Sequence, residues 1–198
     1  SSDLKEQNHA HKVLKAIANG ISENFLLMND DFFALQPVYE WNESLNYAGY
    51  TLSERYEYYL NKYKRSISPW QRAFKITDEF LANLNLTTYN YELHLPMIIN
   101  KHKFLEMMER PDVNKLMLTQ RVFMKRSIYK NMYPEENTPP PKFRLDCKIF
   151  KHKDATIDNL SQDWLSVFDH VVDNPIAFPK LAAHLQSEFK EPCIYEKK

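Results

Sequence analysis

The run Val113 to Tyr133, VNKLMLTQRVFMKRSIYKNMY, holds Lys115, Arg121, Lys125, Arg126 and Lys130 and no acidic residue. Val113, Leu116, Met117, Gln120, Phe123, Met124 and Ile128 recur in it at helical spacing, as along a helix buried on one side. With Pro111-Asp112 at its start, the spacing predicts a single long helix ending near Tyr133. Its other side would carry Lys115, Leu118, Val122, Lys125, Arg126 and Tyr129, a mixture of bases and apolar groups. A helix that is apolar on two sides needs a second layer of its own domain or a partner. On this reading the chain is built around a central helix.

Working outward, the segments before this run also read at a helical period. Leu14, Ile17, Ala18, Ile21 and Phe25 predict a helix from Leu4 to Met28, with Gly20 kinking or dividing it and Ser22 able to restart a second piece. Thr51 or Ser53 opens a helix to about Lys64 whose stripe is Leu52, Tyr56, Tyr59 and Tyr63. Ser68-Pro69 places a cap and then a proline at the first helical position, so a further helix runs to about Asn85. Another is expected from Pro96 to Arg110. Between the first two, residues 29–50 are aromatic and aperiodic, and an ordered loop without regular structure is expected there, of which the aromatic segment Phe32 to Tyr50 could bind a peptide.

The period falls to two in Tyr89-Asn90-Tyr91-Glu92-Leu93-His94-Leu95 and in Lys142-Phe143-Arg144-Leu145-Asp146-Cys147-Lys148-Ile149. Strict alternation is the mark of a half-buried strand, so residues 89–95 and 142–150 are expected to supply a small two-stranded β element. Residues 135–141, ending in three prolines, read as an extended linker. Beyond the second strand, Asp158 or Ser161 caps a helix with Leu160, Trp164, Val167, Phe168 and Val171 on one side. A last helix from Pro175 or Pro179 to Lys190 would bury Leu181, Ala182, Leu185 and Phe189 and complete a C-terminal helical hairpin.

The fold expected is therefore mainly α, of α+β class, with six to eight helices around one core. Residues 1–134 would form the helical core domain, and residues 142–198 would pack on the same core. At 198 residues the chain is long enough to fold around such a core unaided.

Composition narrows the chemistry. Gly20 and Gly49 are the only glycines, and phosphate-cradling loops need several close together, so a P-loop or a dinucleotide fingerprint is excluded. His9 and His11 stand two residues apart and point to different sides of a helix, while His102 and His152 each lie within Lys-His-Lys. No Cys-x-x-Cys or His-x-x-x-His spacing occurs, and no metal is expected. Cys147 sits at an apolar strand position, where a thiol is inert, and Cys193 has no activating neighbour in sequence. Adjacent acids, Asp30-Asp31 and Glu135-Glu136, read as helix starts or solvated linker. No catalytic residue and no cofactor is expected.

Two cysteines are too few for a disulfide framework, which points to an intracellular setting in nucleus or cytoplasm. The chain has no apolar run of the ~18 residues that a membrane span takes, and no membrane association is expected. It does not begin with Met, which suggests a fragment or a subunit of a larger assembly. These features favour a non-enzymatic protein-protein interaction or scaffold module, with Leu118, Val122, Lys125, Arg126 and Tyr129 meeting the partner. The alternative is an RNA-binding domain whose basic face spans residues 115–153 and uses Lys115, Lys125, Arg126, Lys130, Arg144 and Lys148.

Overall fold

A computed structural model describes residues 5–28, 32–34, 47–64, 66–120, 122–134, 164–166 and 175–189. Among them the fold is mainly α with a small antiparallel β component: seven helices and two two-stranded sheets. The chain divides into two compact units. One comprises Ser1–Leu27, Asn42–Leu93 and Met97–Arg144, and the other Met28–Trp41, His94–Pro96 and Leu145–Lys198.

In the first unit, helix α1 (Lys5–Ala18) buries Ala10 and Val13, with Leu14 and Ile17 packed beside them. Gly20 stops this helix instead of kinking it. Its φ of 86° lets Gly20 N–H donate to Ile17 O at 3.1 Å and Ile21 N–H to Ala16 O at 3.3 Å, which closes the last carbonyls of the helix. The expected restart at Ser22 is replaced by strand β1 (Asn24–Leu27). Its partner is β3 (Met97–Asn100), paired from Asn24 opposite Asn100 to Leu27 opposite Met97. The helix expected from Pro96 thus begins later, as α4 (Lys101–Glu109). Met97 and Ile99 alternate into the core as strand residues, and the Asn100 side chain then accepts from His102 N–H and Lys103 N–H to start the helix.

Helices α2 (Leu52–Tyr63) and α3 (Pro69–Asn83), whose starts the capping residues mark, pack together as a hairpin. Thr51 with Glu54, and Ser68 with Gln71, each make a reciprocal capping box, a feature that contributes about 1 kcal/mol to helix stability. Leu52, Tyr59, Ala73, Phe74, Leu81 and Met124 form the core beneath them.

The long central helix is two helices, α5 (Pro111–Thr119) and α6 (Lys125–Met132). At the break Met124 N–H donates to Thr77 Oγ1 at 3.0 Å. Phe123 and Met124, adjacent in sequence, enter different apolar clusters. One continuous helix sets neighbouring side chains about 100° apart, whereas the extended break delivers them to both cores.

Residues 89–95 do not form a strand. Tyr89 makes one isolated bridge to Thr51, and Ala48 N–H and Leu52 N–H donate to Asn90 O and Thr88 O. The other edge of this segment is served by side chains of α6. Tyr91 N–H donates to Ser127 Oγ at 3.1 Å and Tyr89 N–H to Asn131 Oδ1 at 3.0 Å, while Asn131 Nδ2 donates to Tyr89 O at 2.8 Å. Asn90, a polar position expected to face outward, is buried. The second expected strand, 142–150, and the linker 135–141 lie outside the described residues.

In the second unit, β2 (Phe32–Ala34) pairs antiparallel with β4 (Trp164–Ser166), Phe33 opposite Leu165. Two expectations change here. Residues 32–34 have regular structure within the aromatic loop, and residues 164–166 are a strand where the first arm of a helical hairpin was expected, because their backbone bonds go to another strand. The rest of that arm is outside the described residues. Helix α7 (Ala177–Glu188) is the C-terminal helix, with Leu181 buried and Phe189 exposed instead of covered.

Asn131 accepts from Tyr89 N–H and Thr87 Oγ1 and donates to Tyr89 O and Ser127 O. Asn131→Leu leaves several of these groups without a partner, each costing about 1–3 kcal/mol. Urea denaturation should show a loss of about 2–4 kcal/mol, with faster amide exchange at Tyr89. A loss within about 0.5 kcal/mol, the range of an ordinary surface change, would mean that this bonding does not hold the segment.

Candidate functional site

The residues expected to form one surface on the central helix do not come together. Lys115 and Leu118 are exposed on α5, Leu118 at 76%. Val122 lies in the break and packs against the core under the α2–α3 hairpin. Lys125 is half-buried at the first turn of α6. Arg126 is 6% exposed and Lys130 3%, and Tyr129 is buried too. These side chains face inward. Arg126 Nη1 donates to Leu93 O at 2.9 Å and Nη2 to Leu27 O at 3.3 Å, and Tyr129 Oη accepts from Asn100 N–H at 2.9 Å. Arg126, Tyr129 and Lys130 therefore belong to the interior and present nothing to a partner or a phosphate. Arg144 and Lys148 lie outside the described residues.

A different surface emerges at the α2–α3 hairpin. From Tyr58 to Thr77 the chain carries Lys62, Lys64, Arg65, Arg72 and Lys75 and no Asp or Glu. Tyr58, Tyr59, Tyr63, Trp70 and Phe74 are interleaved with them. The first charged residues on either side are Glu57 and Asp78, so a running charge count in a window of this length would have found the stretch. Counting over longer blocks averages it against the acids of the flanking turns.

The hairpin supports these rings from below. Tyr59 is buried and central, its ring centroid 5.7 Å from Phe74, 6.0 Å from Trp70 and 6.1 Å from Tyr63. Trp70 meets Phe74 edge-on at 4.9 Å. Around this base Tyr58, Tyr63 and Trp70 remain 48%, 42% and 45% exposed. Aromatic groups held in place by packing yet open to solvent lose little entropy when a partner covers them.

Cations sit against the same rings. The Arg55 guanidinium carbon lies 5.2 Å from the Tyr50 ring centroid, 5.1 Å from Tyr58 and 4.6 Å from Tyr59. Lys62 Nζ lies 5.5 Å from the Tyr58 ring centroid and 5.4 Å from that of Tyr63. It also donates to Tyr58 Oη at 3.2 Å, and this bond, with the neighbouring Tyr63, holds the exposed ammonium above its ordinary pKa. Burial raises the Tyr59 phenol against the opposing effect of Arg55, so the ring stays neutral in neutral solution. Of the two acids of α2, Glu54 is held at Thr51 in the capping box, and Glu57 is exposed beside Tyr58.

Among the described residues no group of three or more His, Cys, Asp or Glu side chains could hold a metal ion. Among them also no helix is long and apolar enough to cross a membrane. Comparison with protein-family models, curated proteins and solved structures finds no match for the chain.

Tyr58→Phe keeps the ring and removes only the hydroxyl that accepts from Lys62. The Lys62 pKa should then fall toward that of a free lysine, read by a heteronuclear NMR titration of its side chain. An unchanged titration would show that the contact does not persist in solution.

Proposed function

We propose that the protein is a non-enzymatic interaction module that holds its partner on the aromatic and basic end of the α2–α3 hairpin. One observation carries this reading: Tyr58, Tyr63 and Trp70 stand half-exposed around the buried Tyr59, with Arg55 and Lys62 against their rings. Tyrosine, tryptophan and arginine are the residue types in which binding energy concentrates. The surface is also stiff. Two capped helices and a shared core position the rings before any partner arrives, which lowers the ordering cost of association.

The interaction reading of the sequence is kept, and its location moves from the central run to residues 55–72. Leu118 is the more exposed apolar side chain, yet it stands on α5 without a neighbouring exposed aromatic or apolar residue of that helix. A single exposed leucine is normal on a protein surface.

A photo-crosslinking amino acid placed at Tyr63 or, as a control, at Leu118 tests the location in cell extract. Adducts are expected from position 63 and not from position 118. Excess unlabelled protein should suppress them, and excess Tyr63→Ala, Trp70→Ala double variant should not. Equal capture from both positions, or competition by the double variant, would remove the hairpin as the contact surface.

A further inference from the structure

Resting on that reading, we infer that the partner held by the α2–α3 hairpin is a single-stranded nucleic acid, its bases stacked on Trp70 and Tyr63 and its phosphates met by Lys62, Lys64 and Arg72. Charge is the first argument. Twenty consecutive residues carry five bases and no carboxylate on a chain whose net charge is zero. Of these bases Lys75 is paired with Glu79 at 3.5 Å, which leaves Lys62, Lys64 and Arg72 as the described cations offered to an anion. Lys62, Lys64 and Arg72 are all exposed, at the end of α2, its cap and the first turn of α3. They bracket the rings along the sequence.

Residue type is the second. Lysine is depleted from the cores of protein-protein interfaces, where a strongly hydrated ammonium is costly to cover. Lysines beside exposed aromatic rings suit a ligand that alternates flat apolar groups with fully solvated anions, which a single strand does. Trp70 is the better platform: it is 45% exposed, and its ring is braced by Phe74 and Tyr59. Tyr63 flanks Tyr59 as well, so two platforms stand around one buried ring. A duplex keeps its base faces stacked on one another and cannot use them, so the arrangement selects unpaired strands.

The experiment is a fluorescence-anisotropy titration of the whole chain with a labelled mixed-sequence single strand and with the corresponding duplex. Two to four phosphate contacts give a slope of about −1.5 to −3 in log K against log salt. Single strands should bind more tightly than the duplex, with that slope. Trp70→Ala should weaken binding at least about fivefold, the lower end of what one stacked base contributes, and Trp70→Phe should recover most of the loss. Lys62→Glu, Lys64→Glu replaces two exposed side chains and should reduce both affinity and slope, while the thermal melt falls by no more than about a few degrees and remains cooperative. Lys115→Glu, on α5, should change nothing.

No binding of the single strand at about 50 mM salt, the condition that favours phosphate contacts, overturns the assignment. So does equal affinity for duplex, or binding indifferent to Trp70 and to the two lysines. If the strand fails to bind while crosslinking at position 63 yields a protein adduct that the double ring variant does not compete, the nucleic acid is wrong and the interaction surface stands. If both fail, the surface falls with it.

Discussion

Helix α6 has almost no solvent side, and its polar residues supply the hydrogen bonds that an extended segment of backbone would otherwise lack. Arg126, Ser127, Lys130 and Asn131 are all buried. Ser127 Oγ and Asn131 Oδ1 accept from the backbone of Tyr91 and Tyr89, and Arg126 donates to carbonyls at Leu93 and Leu27. In return Glu92 Oε1 accepts from Ser127 N–H at 3.0 Å and from its hydroxyl at 3.1 Å, serving a first-turn donor of α6. Each partner satisfies the other. Removing one leaves buried polar groups that cost more than the bond contributed, so the segment and the helix are ordered together or not at all.

That constraint explains the break before α6. A helix continued from α5 would turn the polar side chains of α6 by the helical angle alone, without regard to where residues 88–93 run. Thr77 takes up Met124 N–H, and α6 starts afresh at the angle its hydrogen bonds require. Phe123 and Met124 then anchor the junction in the two apolar clusters, and Met132 and Phe80 pack against both of them. Through Met124 and Thr77 the position of α6 is tied to α3 and so to the hairpin.

The exposed rings stand on the hairpin because its outer end is spared from this network. Its buried side is closed by Leu52, Phe74 and Leu81, while Tyr58, Tyr63 and Trp70 each rest on Tyr59, and Trp70 on Phe74 as well. Arg55 and Lys62 offset part of the exposure by lying against the rings of Tyr58 and Tyr63, contacts that are weak where water screens them. Such contacts are weak enough to be exchanged for a ligand's own.

Local chemistry was legible from the sequence by itself. Thr51 and Ser68-Pro69 mark helix starts because a side-chain oxygen and a proline act within one turn, and the mainly α class follows from the helical period that local sterics impose. The strands observed, 24–27 with 97–100 and 32–34 with 164–166, stand instead where no period-two alternation pointed. The acid-free stretch 58–77 was equally legible to a shorter charge window. Tertiary structure alone decided the rest. Alternation in 89–95 reads as a strand, yet whether an extended edge meets another strand or the side chains of Ser127 and Asn131 depends on a helix some forty residues away. Likewise Arg126 and Lys130 look like surface bases until the carbonyls that hold Arg126 and the packing that buries both are in place. A basic residue is written the same way whether water or buried backbone satisfies it, and only the folded chain brings the second choice within reach.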